Sequence, residues 1–436
     1  MSEKISWRHL GALLVVFALG VAACGDGDGA GTTAATDEVT DPIGVVEVQP
    51  GDSVQIRAHQ AISGAVSFLG TDQVRGVELA LEDFPEVLGF PVELGTPEDD
   101  LCRSEGGQSG AQNIVAQENV VAVIGTTCSG AAAAAVPIYS AAGLSVFSGS
   151  VTGPSMTSYI LTNPGTPGEN YHEGFFRTAH NDEFQGASVA DFVFNELGFT
   201  RAAAVHDGDP YTQGLATAFQ GFFEILGGEV PLFTAVDPDQ TDMTALLTDI
   251  AAADVEVVYF PIFQPAGDFI ITQKDGIAGL EDVVWFGADG LFVSDFLGIP
   301  ESEGMYFSSP DLGIGENVSA TGVTYDDLRQ RYIDTYGEDP TAAFHAHTYD
   351  ATIMVLTAIG EVGVVGSDGV LRIPRQGLRD HLADMEGFAG LTGTLGCLDF
   401  GDCGSQAIMI AHHTDTSITD LLAVEVAKTY GSEDFE

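Results

Sequence analysis

"VIGTTCSGAAAAAVPIYS", Val123 to Ser140, decides how the rest of the chain is read. An apolar stretch that suits a strand stops at Gly125. Two threonines, a cysteine, a serine and a glycine follow, and then five alanines, Ala131 to Ala135. This is the pattern of a β-strand passing through a polar turn into a helix that opens on its smallest residues. Small residues there let the helix lie close to a sheet, or let something approach its backbone. The amides around Ser129, Gly130 and Ala131 would lack intrahelical partners, and a helix N-terminus attracts anions. Taken alone, a hydroxyl-rich helix start is an N-cap.

The same unit repeats along the chain. Runs suited to strands include "VQIRA", "NVVAVIG", "LSVFS", "RAAAVHD", "VEVVYFP" and "DVVWFG". Helical stretches lie between them. "TDQVRGVELALEDF" puts Val74, Val77, Leu81 and Phe84 on one face, and "EFQGASVADFVFNELGF" does so with Val189, Phe192, Val193 and Leu197. Repeated β-α alternation predicts parallel sheets covered by helices. About ten such strands exceed one comfortable doubly wound sheet, so two similar lobes are expected. "HTYDATIMVLTAIGEVG" predicts a late amphipathic helix, and "GTLGCLDFGDCGSQAIMIAHH" an antiparallel hairpin.

Ligands of open α/β sheets sit beyond the strand C-termini. Besides Ser129 and Gly130, two further junctions offer chemistry. In "SVFSGSVTGPSMT", Ser148, Ser150 and Thr152 cluster after a strand. In "VVWFGADGLF", Asp289 follows a strand end, where a carboxylate can pair with a ligand cation. Without context each reads more readily as a polar turn.

Composition bounds the function. The 436-residue chain carries 64 acidic and 14 basic residues, a formal net charge of −50, with lysine only at Lys4, Lys274 and Lys428. Such a chain repels nucleic acid and anionic membrane surfaces, so neither is an expected partner. A heavily hydrated acidic surface suits salty surroundings, where screening weakens self-repulsion.

Lys4 and Arg8 precede an apolar run, Leu10 to Ala23, that is short for a membrane span but fits a signal-peptide core. It ends in Val21-Ala22-Ala23-Cys24, which resembles a bacterial lipobox. Residues 1–23 are therefore expected to be a lipoprotein signal peptide, with Cys24 lipidated. Residues 24–50, rich in Gly, Asp and Thr, read as a flexible tether. Four cysteines remain: Cys102, Cys128, Cys397 and Cys403. An even number in an exported chain suggests two disulfides, for which three pairings exist. Cys397 and Cys403 flank a short turn-like "LDFGD" and suit local pairing, which leaves Cys102 with Cys128. The spacings do not suit zinc, and no metal or other cofactor is expected.

In order along the chain, "AISGAVSFLGTDQVRGVELA", "VVAVIGTTCSGAAAAAVPIYSAAGLSVFSGSVTGPSMT", "FRTAHNDEFQGASVADFV", "VHDGDPYTQGLATAF" and "VVWFGADG" resemble the leucine/isoleucine/valine-binding proteins, the solute receptors of branched-chain amino acid ABC importers. The likeness runs from about residue 53 to 415. It implies an α/β fold of two Rossmann-like lobes with parallel-type sheets, joined by a three-crossover hinge near Phe176–Asn181, Ser308–Leu312 and Leu391–Phe400. The lobes would comprise 51–178 with 310–392, and 179–309 with 393–436. The resemblance supports the pairing of Cys102 with Cys128. It places the ligand's carboxylate and ammonium at Ser129, Ser150 and Thr152, with Asp289 taking the ammonium. Tyr211 and Phe263 would close the cleft from the second lobe.

The sequence departs from the leucine-type pattern in the side-chain pocket. Leu69 stands where an aromatic is usual, Asp289 replaces a longer glutamate, Phe263 a tyrosine, and "PIFQP" a glycine-rich turn. The expected function is delivery of an amino acid, of aliphatic type, to an ABC permease from an extracytoplasmic, lipid-anchored position, without catalysis. Receptors for amides, urea or aromatic acids, and a ligand-sensing domain of the same fold, are the alternatives. An unpaired Asp289 in a closed cleft argues against ligands lacking a cation. An exported hydrolase is disfavoured, because neither a G-x-S-x-G elbow nor an H-E-x-x-H motif is present. His345, His347, His412 and His413 read as structural or surface residues.

Overall fold

The computed structural model describes residues 39–435; the expected signal peptide, Cys24 and most of the expected tether lie outside them. Two large β-sheets dominate. The first runs in the order Glu86–Val87, Phe90–Leu94, Val54–Gln60, Val120–Gly125, Ser145–Ser148, Phe175–Arg177, with Glu98–Asp99 also paired to Val54–Gln60. All its pairings are parallel except that of Glu86–Val87 with Phe90–Leu94. The second runs Glu229–Ala235, Arg201–His206, Val257–Tyr259, Val284–Gly287, Met305–Pro310, Ile408–His413, Glu425–Tyr430. Its first four pairings are parallel and its last two antiparallel. The two-lobed α/β architecture is that expected from the β-α alternation.

The six strand runs read from the sequence are all strands here. Central parallel strands need apolar residues on both faces, and every residue of Val120–Gly125 is buried. The helix Ser67–Asp83 buries Leu69, Val74, Val77 and Ala80. In "EFQGASVADFVFNELGF" the α-helix Asp182–Asp191 gives way to a π-turn over Phe192–Glu196.

The chain passes between the sheets three times: after Arg177, after Pro310, and on the way to Ile408. The last passage corrects one expectation. Gly393–Leu395 does not form a hairpin with Ile408–His413; it pairs antiparallel with Phe388–Gly390. Ile408–His413, wholly apolar until its histidines, lies inside the second sheet between Met305–Pro310 and Glu425–Tyr430. The intervening residues turn tightly, closed by a disulfide between Cys397 and Cys403. A second disulfide joins Cys102 to Cys128.

The opening stretch has a double explanation. Ala131, Ala132 and Ala135 are fully buried, and Ala132 and Ala135 pack with Val120 and Val123 of the sheet. The neighbouring helix Ser104–Val115 comes so close that a Cβ at Gly107 would lie 2.2 Å from the Ala131 carbonyl oxygen. Small residues thus serve helix packing behind, while Ser129 faces the cleft in front.

Among the described residues no helix is long and apolar enough to cross a membrane.

Candidate ligand-binding site

The site is built at the C-terminal ends of parallel strands in both sheets. Strand Val120–Gly125 leads to Ser129, Ser145–Ser148 to Ser150 and Thr152, Arg201–His206 to Tyr211, Val257–Tyr259 to Phe263, and Val284–Gly287 to Asp289. Ser129, Ser150, Thr152, Tyr211, Phe263 and Asp289 line one cavity between the lobes, with Leu69, Gln73 and Phe344 completing its wall. The cavity is only about 20 Å³, so the lobes or their side chains must part to admit an amino acid.

On the first lobe, hydrogen bonds stitch the polar turns together. Ser148 Oγ donates to Thr126 O (2.7 Å) and accepts from the amides of Ser150 (3.2 Å) and Val151 (3.0 Å). The Ser150 hydroxyl is spent internally, on Thr127 O at 2.7 Å and Gln73 Oε1 at 3.0 Å. Ser129 Oγ accepts from Gly153 N at 3.2 Å, which leaves its proton for a ligand. The first bond of the helix itself is Ala132 N to Cys128 O (3.0 Å), so the amides of Ser129, Gly130 and Ala131 precede it.

On the second lobe, Asp289 Oδ1 accepts from Gln185 Nε2 (2.7 Å) and from the Tyr211 hydroxyl (3.1 Å). Gln185 Nε2 also reaches Ser308 Oγ (2.9 Å), and Gln185 Oε1 pairs with His180 Nε2 at 2.6 Å. Burial pushes the Asp289 carboxyl up to about 6, against the lowering effect of its hydrogen bonds from Gln185 and Tyr211. Tyr211 and Phe263 stack obliquely with centroids 5.2 Å apart.

Two buried carboxylates close to the site escaped the sequence reading. Asp182 is fully buried, and neither of its oxygens has a hydrogen-bond partner. Its backbone N–H donates to Thr152 O at 3.1 Å. Burial first, then the nearby Asp289 charge, hold its carboxyl well above the usual range. In sequence it passes for an ordinary acid in a helix first turn, capped by Asn181. Asp209 caps its own helix by accepting from Tyr211 N (2.8 Å), which is all that "DPY" announces. Yet its carboxylate also meets the first lobe: a Cβ at Gly130 would lie 2.1 Å from Asp209 Oδ2. Burial raises the Asp209 carboxyl to about 7.

Gly130 is therefore set apart from the other expected site residues. It borders a separate cavity of about 730 Å³, with Asp209, Arg103 and Asp239. His345 faces Asp72 (3.2 Å), His413 Nε2 donates to Leu297 O (2.8 Å), and His412 stacks on Tyr306. Among the described residues no three His, Cys, Asp or Glu side chains gather as a metal would require.

A family model for periplasmic binding proteins matches residues 53–411. The chain belongs to this family. The binding protein is 26% identical over 379 residues to the leucine-, isoleucine-, valine-, threonine- and alanine-binding protein of Pseudomonas aeruginosa, covering 85% of this chain and 92% of that one. It is 30% identical to an amino acid binding protein of the same organism, over 48% of this chain and 54% of the relative. In fold, the binding protein superposes on the leucine-binding protein LivK of Thermotoga maritima with a TM-score of 0.73 at 22% identity, over 87% of this chain and 99% of that one. It superposes on a benzoate-bound solute-binding protein of R. palustris with a TM-score of 0.69 at 16% identity, over 87% and 96%.

Proposed function

We propose that the protein is an extracytoplasmic solute receptor that closes on an aliphatic amino acid and delivers it to an ABC permease. One observation carries this reading: buried Asp289, aimed by Gln185 and Tyr211, stands across a small cavity from Ser129 and Thr152. The ligand ammonium would replace water at Asp289, with Asp182 as a second, unpartnered carboxylate beside it. The ligand carboxylate would take the Ser129 hydroxyl and the helix N-terminal amides. Leu69, Phe263 and Phe344 offer the side chain an apolar wall. The branched-chain ligands named for the Pseudomonas relative support this class. A bound benzoate in another relative shows that the fold also accepts acids without an ammonium, but the buried Asp289 carboxylate, left without a cation, would disfavour such a ligand here.

The receptor is tethered by lipid at Cys24, through residues 24–50. Cys24→Ser should release it from membranes into the soluble fraction; unchanged partitioning would refute the anchor. The ligand reading is tested by a thermal-shift screen of amino acids, amides, urea and aromatic acids. A ligand bound only by the folded state raises its stability by RT ln(1 + [L]/Kd). Aliphatic amino acids should give the largest shifts. Shifts confined to uncharged amides or aromatic acids would overturn the assignment.

A further inference from the structure

We propose that Arg177, anchored by Asp402 inside the Cys397–Cys403 loop, is a strut that holds the Val151–Thr157 loop in its ligand-competent position. The proposal rests on the reading of Thr152 as a ligand contact, but its structural half stands independently.

Arg177 ends the last strand of the first sheet, where the chain first leaves for the second lobe. Its side chain is completely buried. Nη1 donates to Val151 O (3.1 Å) and Gly153 O (3.0 Å), the carbonyls on either side of Thr152. Nη2 donates to Thr157 Oγ1 at 2.6 Å. Nε donates to Asp402 Oδ1 at 2.5 Å, an ion pair with both partners shielded from water. The planar guanidinium thus spends its fork on three points of one loop and braces itself on a fourth.

The brace belongs to the third passage between the lobes. Asp402 is itself held from both sides. Its Oδ2 accepts from Ser158 Oγ (3.2 Å), and its backbone carbonyl accepts from Leu398 N (2.7 Å). The next residue, Cys403, donates its amide to Arg177 O at 2.9 Å and closes the seven-residue ring to Cys397. The ring reverses through Phe400 and Gly401, both with positive φ. Gly401 packs so tightly that a Cβ would come within 2.2 Å of Phe175 O. A covalent staple across so short a loop removes the freedom by which Asp402 could swing away. The first passage, the third passage and the ligand loop are therefore one mechanical unit. A change in the third passage reaches Thr152 through a single side chain.

The test compares the full-length protein with Arg177→Lys, Asp402→Asn and the double variant Cys397→Ser/Cys403→Ser. Arg177→Lys keeps the charge but cannot reach three acceptors and the carboxylate together. The first readout is amide hydrogen exchange without ligand, at Val151, Gly153, Met156 and Thr157, whose N–H groups are hydrogen-bonded within the loop and to Ser129 and Ser148. The second is the dissociation constant for L-leucine. Exchange should quicken at these four amides while the helix His345–Val362 keeps its protection. The leucine Kd should rise roughly 5- to 150-fold, the usual span of coupling between separated sites. Exchange that stays unchanged in the loop, or quickens equally in that helix, would overturn the strut. If the parent protein takes no leucine, the amino acid reading falls, and the exchange arm still decides for or against the strut.

Discussion

Asp209 of the second lobe rests its carboxylate on Gly130 of the first, at the start of the helix that opens with five alanines. The space between them is less than a methyl group: a Cβ at Gly130 would fall 2.1 Å from Asp209 Oδ2. Asp209 cannot easily retreat, because it also caps its own helix at Tyr211 N. The contact thus joins a carboxyl group of one lobe to a helix N-terminus of the other. It is a closing contact built from both lobes.

Gly130→Ala should therefore block full closure without unfolding the protein. Its φ is not in the left-handed region, so alanine costs the helix nothing intrinsic. Small-angle scattering with saturating ligand should show the variant more open than its parent, with weaker binding and an unchanged melting temperature of the ligand-free form. Equal scattering curves would show that the contact does not control closure.

Asp289→Asn keeps the shape of the ammonium site and removes its charge. Loss of one partner from a desolvated charge pair costs about 2–5 kcal/mol, or roughly 30-fold to several thousand-fold in affinity. Thr152→Val removes one neutral hydrogen bond and should cost about 0.5–1.5 kcal/mol. Calorimetric titration of both variants with the best ligand from the screen checks the order; Thr152→Val weaker than Asp289→Asn would contradict it.

Binding should depend on pH in a definite direction. The free Asp289 carboxyl, raised to about 6 by burial, must give up its proton to take an ammonium. Affinity should improve as pH rises from 5 toward 7, by at most about tenfold per unit below that value, then level off. Binding at pH 5 should release a proton, visible as a binding enthalpy that varies with buffer ionisation heat. Ligand-free stability should move the opposite way. Asp100 and Asp209 at about 7, and Asp289 and Asp350 at about 6, hold protons in the fold that the unfolded chain has lost. Their contribution is complete below the usual aspartate range and fades as pH climbs to about 7. Urea unfolding across pH 4–8 measures it, and a contribution that grew over that range would reverse the sign.

Replacing Cys102 and Cys128 together by serine opens a loop spanning 26 positions. Chain entropy alone makes this worth roughly 3–4 kcal/mol of stability. Urea unfolding should show that loss, and a midpoint equal to the parent's would contradict it.

The cysteine count and spacing pointed to both disulfides, and the family resemblance to Tyr211. The β-α alternation and the cavity-lining residues Ser129, Thr152 and Asp289 were legible for one physical reason. Parallel strands are apolar runs, and whatever follows them faces the cleft. What stayed hidden involves partners far apart in sequence. Asp182 and Asp209 look like ordinary helix-start acids, and nothing local tells that one is orphaned and the other crosses the cleft. Arg177 reads as a strand-end arginine, although Asp402, its partner, lies 225 residues away. The pairing of Gly393–Leu395 was misread because a hairpin pattern does not reveal a disulfide-closed turn between two sheets.

The central claim is that Asp289 and the Ser129 helix start read the two ends of an aliphatic amino acid. Calorimetry at pH 7 with L-leucine against 4-methylpentanoic acid, which is leucine without its ammonium, tests it most directly. The account predicts one molecule of leucine bound per chain and an acid at least about 30-fold weaker. Equal binding of the two, or binding of the acid alone, would contradict it.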